Sequence, residues 1–511
     1  MIALLLDEEL AKYEQDLREL LMAFFPGESF CYEEKPEAGL FVCANVSELR
    51  IRQTHIPQPD EKGPAAEKRY SEEGCLMAPL ALSGNRKTNK TLVKQALYGL
   101  LHTLTGETLP WGTLTGIRPV KLAELMLQEG MSDVQADAKL RELYDISEEK
   151  RKLMLSIAHR ERKVLERIDY RNGTSLYIGI PFCPTTCLYC SFTSYPIRKW
   201  ENRVGEYLDC LREELRQFRK AQEKEGGILS GKKLQTIYIG GGTPTSISAE
   251  DLENLLRIAE EELDLSALSE YTVEAGRPDS ITTEKLQVLR AHGIGRISIN
   301  PQTMNQKTLD LIGRRHSVED VKRAYDEARR AGFDNINMDL ILGLPEESVE
   351  DVRRTLSEVE RMRPDSLTVH ALAVKRAARL NTEGNAWAHL ARAGKEEAAA
   401  MSAYARETAL RMGLKPYYLY RQKNMAGNQE NVGYAVSGKE NLYNILMMEE
   451  KHTVIGCGAG ASSKAVIANE SAAMYDGNAF RVERFENIKN ISEYLPRFGE
   501  LMTKKRNFIF S

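Results

Sequence analysis

Three of the eight cysteines fall in one ten-residue run, Pro181-Phe-Cys-Pro-Thr-Thr-Cys-Leu-Tyr-Cys190, at spacings of four and three. Iron-sulfur clusters take cysteine thiolates as ligands, so Cys183, Cys187 and Cys190 can bind three irons of a cubane and leave the fourth iron open to a small molecule. The same spacing would also line one face of an α-helix, but Pro181 and Pro184 oppose a helix there. These three cysteines are the candidate metal ligands and the first candidate catalytic residues. The other five are scattered over 511 residues, too sparse for a disulfide framework and consistent with a reducing compartment.

Further candidates come after later apolar runs. Tyr238-Ile-Gly-Gly-Gly-Thr-Pro-Thr245 places Gly241, Gly242 and Thr243 where backbone groups can approach a ligand without obstruction from Cβ atoms. Glu274, Gln302, Arg314 and Asp339 follow in turn, the last within Asn337-Met-Asp-Leu-Ile-Leu-Gly-Leu-Pro345. A carboxylate accepts hydrogen bonds from hydroxyls, an arginine forks onto a carboxylate, and an amide serves either purpose.

Positioning these residues falls to alternating strands and helices. Apolar, β-rich runs at Leu176–Ile180, Thr236–Ile239, Tyr271–Glu274, Arg296–Asn300, Ile336–Leu342 and Ser366–Ala371 are separated by helical stretches such as Glu201–Glu223 and Val318–Ala331. That alternation predicts parallel strands with crossover helices. Six units fall short of the eight of a closed TIM barrel, so the expected fold is α/β, a partial (β/α)6 TIM-type barrel. It carries an N-terminal α+β and helical extension and a C-terminal mixed capping domain. The expected divisions are a small α+β unit over 1–90, a helical segment over 91–170, the barrel over 171–375 and the cap over 376–511.

Composition sets the outer limits. Hydrophobic residues make up 42% and charged residues 28%, with a formal net charge of -4. This balance suits a soluble globular chain and offers no global basic field for nucleic acid or anionic lipid. Met1-Ile-Ala-Leu-Leu-Leu6 turns acidic at Asp7 and lacks the basic start of a signal peptide. No apolar run reaches the ~18 residues a membrane helix needs. The expected location is the cytoplasm, with neither nucleic acid nor membrane as a partner.

The Cys-x3-Cys-x2-Cys loop, with aromatic Tyr189 before its last cysteine, resembles the signature of the radical S-adenosylmethionine (SAM) superfamily. The resemblance implies a [4Fe-4S] cluster whose open iron chelates SAM and, once reduced, cleaves it to a 5'-deoxyadenosyl radical. Leu176-Tyr-Ile-Gly-Ile-Pro-Phe-Cys183, the Gly-Gly-Gly-Thr-Pro-Thr segment, Gly313-Arg-Arg-His316 and the Asp339 segment are similar to oxygen-independent coproporphyrinogen III oxidases. So is Gly456-Cys-Gly-Ala-Gly-Ala461. Trp111 to Pro119 and Tyr417-Tyr-Leu-Tyr-Arg-Gln-Lys-Asn424 resemble the HemZ branch, coproporphyrinogen dehydrogenase. That likeness implies an oxidoreductase of porphyrin and haem biosynthesis. It also implies that Tyr177, Tyr189, Gly241, Gly242, Thr243, Glu274, Gln302, Arg314 and Asp339 contact SAM, with Ala373 near its adenine. Tyr177 joins the cysteines as a catalytic candidate, and the external electron donor would be a flavodoxin or ferredoxin.

Two positions depart from the oxidase pattern. Phe192 stands where those oxidases carry a further cysteine, and Cys-Ser-Phe is shared with related haem chaperones; Gly179 stands where both relatives commonly have histidine. The readings therefore comprise a porphyrinogen decarboxylase, a haem-binding chaperone or carrier, and a radical enzyme acting on haem. A tetrapyrrole would bring four carboxylates needing arginine or lysine. Lys375, Arg376, Arg379, Arg421, Lys423 and Arg118 are the candidates, and His370 is either a packed strand residue or an axial ligand.

Overall fold

The computed structural model describes all residues except 36, 54–74, 84, 117, 374–377, 379–393, 423–424, 469–479 and 511. They form two compact units, Met1–Leu155 with Arg421–Asn428, and Ser156–Tyr420 with Gln429–Ser511. The boundary at Leu155 falls within the segment expected over 91–170, and Arg421–Asn428 groups with the first unit.

In the first unit, strands β1 (Ile2–Leu6), β2 (Phe30–Cys31), β3 (Leu40–Ala44), β4 (Glu48–Gln53) and β5 (Cys75–Pro79) form one sheet in the order β2-β1-β3-β4-β5. Helices α1 (Glu14–Phe24) and α2 (Arg86–Thr105) bury Leu17, Leu21, Leu97 and Leu101 against its Leu4, Val42 and Ile51. Asn85 caps α2 by accepting from the backbone of Lys87 and Thr88, and left-handed Gly106 ends it. Helices α3 (Val120–Gln128), α4 (Asp133–Tyr144) and α5 (Glu148–Leu165) follow, α5 passing into the second unit at Ser156. Trp111 is fully buried, Arg421 lies 5.0 Å over its ring, and the guanidinium donates to the Leu114 carbonyl at 2.5 Å.

The second unit holds the six expected parallel strands: β6 (Gly173–Ile180), β9 (Lys233–Gly241), β10 (Glu270–Gly276), β11 (Arg296–Ile299), β12 (Ile336–Leu342) and β13 (Ser366–Ala371). A short pair, β7 (Phe182–Cys183) and β8 (Tyr195–Pro196), brackets the cysteine loop. The six are adjacent in chain order and pair in parallel. Their crossover helices are α6 (Val204–Glu223), α7 (Ala249–Glu262), α8 (Thr283–Ala291), α9 (Gln306–Leu311), α10 (Val318–Arg330) and α11 (Val349–Met362). Buried on both faces, these strands read as near-continuous apolar runs, the pattern of a helix-covered parallel sheet. Capping boxes at Ser317 with Asp320 and Ser348 with Asp351 start α10 and α11.

Residues after 375 lengthen this sheet at both edges. After α12 (Lys395–Arg411) come β14 (Lys415–Tyr420) and β15 (Asn431–Ala435), β15 pairing antiparallel with β13 and β14 antiparallel with β15. After α13 (Leu442–Met448), strand β16 (Thr453–Cys457) pairs in parallel with β6, followed by antiparallel β17 (Ser462–Ala468) and β18 (Phe480–Glu486). The result is one eleven-stranded sheet. Helices α14 (Ile491–Tyr494) and α15 (Phe498–Ile509) close the chain. Buried Glu214 of α6 ties these parts together. It accepts from the Gly458 backbone at 2.8 Å, Asn487 Nδ2 at 2.9 Å, Tyr494 Oη and Lys505 Nζ, and Lys505 Nζ also donates to the Gly456 carbonyl.

Candidate active site

The cysteine loop leaves β6 at its carboxyl end, where β/α barrels gather functional groups. It docks onto the turn before Arg314: Leu188 N donates to the Ile312 carbonyl at 3.0 Å, and Thr185 Oγ1 to the Gly313 carbonyl at 3.0 Å. All three cysteines are free thiols; Cys183 and Cys187 are buried and Cys190 is partly so. Burial pushes the Cys183 thiol up to about 12 and raises that of Cys190. Such thiols ionise when a metal supplies the compensating charge.

The glycine motif packs directly on this loop. Gly242 donates to the Ile180 carbonyl at 2.8 Å and Thr243 N to that of Phe182 at 2.7 Å. A Cβ on Gly242 would lie 2.5 Å from the Phe182 oxygen and 3.0 Å from Cys183 Sγ, so only glycine fits. Gly241 has φ +109°, a conformation that favours glycine. Thr243 Oγ1 lies 3.4 Å from Cys183 Sγ.

Past the loop, the strand ends converge. Glu274 on β10 accepts from Tyr238 Oη at 2.5 Å. Burial pushes its carboxyl up to about 7, against the pull of Tyr238, and Asp339 adds to the rise. The Tyr238 ring lies 6.2 Å from that of Tyr177 and 4.8 Å from that of Tyr443. Asp339 on β12 accepts from Asn337 Nδ2 at 2.7 Å and faces His370 Nε2 at 3.8 Å. Burial opposes its ionisation, yet His370, Asn337 and Thr368 hold the carboxyl below its ordinary value. Gln302 adopts φ +68°, its N donates to the Asp339 carbonyl at 2.9 Å, and its buried Oε1 has no hydrogen-bond partner. Arg314 is buried, donates to the Asn300 and Pro301 carbonyls, and keeps an unpartnered Nε. Both orphaned groups are those an external polar ligand would satisfy. Tyr189 packs beside Leu188, Ile312, Ile341 and Leu372, immediately before partly buried Ala373.

Sequence reasoning did not assign roles to Tyr238, Tyr443 and Arg277. Tyr238 lies inside the glycine motif and Arg277 three residues past Glu274, positions that mark them. Tyr443 comes from α13 and carries no local signal. Of the basic residues expected near a substrate, Lys375, Arg376, Arg379 and Lys423 lie outside the described residues. Arg421 is held by Leu114 and Asn428 in the first unit, and Arg118 is partly exposed. His370 Nδ1 lies 3.3 Å from Tyr420 Oη, so both ring nitrogens face protein groups.

The donors fit a cubane cluster. Three thiols sit on one loop, Cys183 against the side-chain-free Gly242, and buried Arg277 and Arg314 stand beside Cys187 to offset charge. Among the described residues no three His, Cys, Asp or Glu side chains surround a single ion. A cubane sets its three thiolates on three different irons.

Residues 177–359 match the model of the radical SAM superfamily. The chain is 43% identical over 425 residues to the oxygen-independent coproporphyrinogen-III oxidase-like protein HemZ of Bacillus subtilis, covering 83% of this chain and 81% of that one. The chain belongs to the HemZ family of radical SAM proteins. The family's cofactors are a [4Fe-4S] cluster and SAM. The haem chaperone HemW of Bacillus subtilis is 37% identical over 203 residues, 39% of this chain and 51% of HemW. The solved coproporphyrinogen III oxidase HemN of Escherichia coli aligns with a TM-score of 0.49 at 20% identity, covering 66% of this chain and 72% of that one. Among the described residues no helix is long and apolar enough to cross a membrane.

Proposed function

We propose that the chain is a radical SAM oxidoreductase that decarboxylates two propionate side chains of coproporphyrinogen III to give protoporphyrinogen IX. The match to HemZ over most of both chains supports this reading. So does the gathering of Cys183, Cys187, Cys190, Glu274, Gln302, Arg314 and Asp339 at the strand ends of one barrel, with orphaned polar atoms on Gln302 and Arg314.

When bound, the cluster and SAM supply a one-electron reductive cleavage and the abstraction of a hydrogen atom from substrate. Cys183, Cys187 and Cys190 hold the cluster. Backbone groups of Gly241, Gly242 and Thr243 receive the SAM amino group, and Arg314 takes its carboxylate in charge-assisted hydrogen bonds. Glu274 and Asp339 accept from ribose hydroxyls, Gln302 Oε1 completes the polar contacts, and Ala373 borders the adenine. Tyr177 and Tyr189 shield the reacting centre from water. Each propionate would give one hydrogen atom to the SAM-derived adenosyl group, then lose carbon dioxide and pass one electron to an external one-electron acceptor, becoming a vinyl group. The first electron comes from a flavodoxin- or ferredoxin-type donor in the cytoplasm; neither nucleic acid nor membrane takes part.

The test is anaerobic turnover of the reconstituted protein with SAM and coproporphyrinogen III, following 5'-deoxyadenosine and porphyrin mass. Loss of two carbon dioxide units coupled to deoxyadenosine is expected. Deoxyadenosine without that mass change would overturn the decarboxylase reading. The second reading, a haem chaperone, is favoured by Phe192, which HemW-type chaperones share and which is 68% exposed. Tight haem binding without porphyrinogen consumption would establish it.

A further inference from the structure

Arg277 has no part in the SAM contacts above, yet it is among the most firmly held side chains in the unit. It is 2% exposed at the carboxyl end of β10. Its Nη1 lies 3.8 Å from Cys187 Sγ and also donates to Thr185 Oγ1 at 2.7 Å and the Thr185 carbonyl at 3.1 Å. Its other edge forks onto Asp279, Nε to Oδ1 at 2.9 Å and Nη2 to Oδ2 at 2.6 Å. His316 Nδ1 stands 3.8 Å behind the same carboxylate. One edge of the guanidinium thus meets the proposed cluster ligand Cys187 and the opposite edge meets a fixed anion.

We infer that Arg277 and Asp279 set the reduction potential of the cluster, Arg277 raising it through its N–H on Cys187 and Asp279 moderating that effect. A hydrogen bond to a ligating sulfur, or a nearby cation, stabilises the cluster more after it has gained an electron, because the reduced form carries one more negative charge. The Asp279 carboxylate lies on the far side of the guanidinium from the sulfur, so it lessens the field without displacing the N–H. A loop-holding role alone would need neither the buried charge nor its counter-charge, since the Thr185 contacts require only N–H donors.

This inference rests on the three cysteines holding the cluster, and its test separates the two. Reconstituted wild type, Arg277→Gln and Asp279→Asn are titrated potentiometrically without SAM, reading the reduced cluster by electron paramagnetic resonance, with iron content measured for each. The midpoint is expected to fall in Arg277→Gln and to rise in Asp279→Asn. Each shift is about tenfold in the reduced-to-oxidised ratio at fixed ambient potential, ~59 mV for one electron. Unchanged midpoints, or shifts of the same sign in both variants, would overturn the inference, the latter being what mere loosening of the loop produces. If Arg277→Gln fails to retain iron, Asp279→Asn decides by itself, and a midpoint at or below wild type sinks the proposal. Absence of any cluster signal in wild type would instead refute the cluster assignment.

Discussion

Tyr238 Oη donates to Glu274 Oε1 at 2.5 Å, while the Tyr238 ring stacks 4.8 Å from that of Tyr443. A phenol stacked against a residue of α13 thus orients a carboxylate at the strand ends. Tyr238→Phe removes a hydrogen bond to a charged group, a loss of about 1.5–3 kcal/mol. SAM affinity, measured by calorimetry on the reconstituted protein, should fall roughly tenfold or more; unchanged affinity would remove Glu274 from the SAM contacts.

The Glu274 carboxyl, pushed up to about 7 by burial, has a calculable pH signature. Its folded value lies above the ordinary value of 4.5, so the folded chain binds the extra proton. The stability this group contributes is full below the ordinary value and is lost as pH rises through about 7. Denaturant midpoints of wild type and Glu274→Gln at pH 5 and pH 8 should reveal it. The Gln variant is expected to lose less on going to pH 8, whereas identical losses would contradict the burial argument.

As the proposed cluster ligands, Cys183, Cys187 and Cys190 should each be needed for metal loading while contributing little to the fold. Cys187→Ala should remain soluble with an unchanged far-ultraviolet dichroism spectrum, bind substoichiometric iron and produce no 5'-deoxyadenosine. A variant with a full, SAM-cleaving cluster would overturn the assignment.

Glu214 and Lys505 are both fully buried and paired. Removing one partner strands a buried charge, at a cost of about 3–5 kcal/mol, whereas replacing both by apolar residues of similar size is often neutral. Lys505→Met should therefore lower the thermal midpoint sharply, and Glu214→Leu with Lys505→Met should recover most of the loss. Additive losses would show that the polar contacts to Gly456 and Gly458 dominate.

Much of the barrel could be read from the sequence because its six strands are short apolar runs separated by amphipathic helices, and each expected run lies on an observed strand to within a residue. The cysteine and glycine motifs were equally legible, since their geometry is local. What escaped was non-local. Thr453–Cys457 is only five residues long, and nothing in it announces a partner in β6. Arg277 gains meaning only when the turn at Asp279 and the loop at Thr185 are brought together. Arg421, one of the candidates for tetrapyrrole carboxylates, covers Trp111, a contact between residues too distant in sequence to be foreseen.

Strand β6, from which the cysteine loop springs, finds its neighbour β16 at a sequence separation of 279, as in Thr174 Oγ1 donating to the Thr453 carbonyl. A ribosome delivers the first strand long before the other, so one flank of the barrel stands open through most of synthesis. Unpaired edges of this kind invite association with other chains, and closing so distant a contact is slow. Final folding, and with it a finished seat for the proposed iron-sulfur cofactor, therefore waits on Thr453–Cys457. A nascent chain stopped ahead of Thr453 would carry all three cysteines and still lack the wall against which their strand is packed.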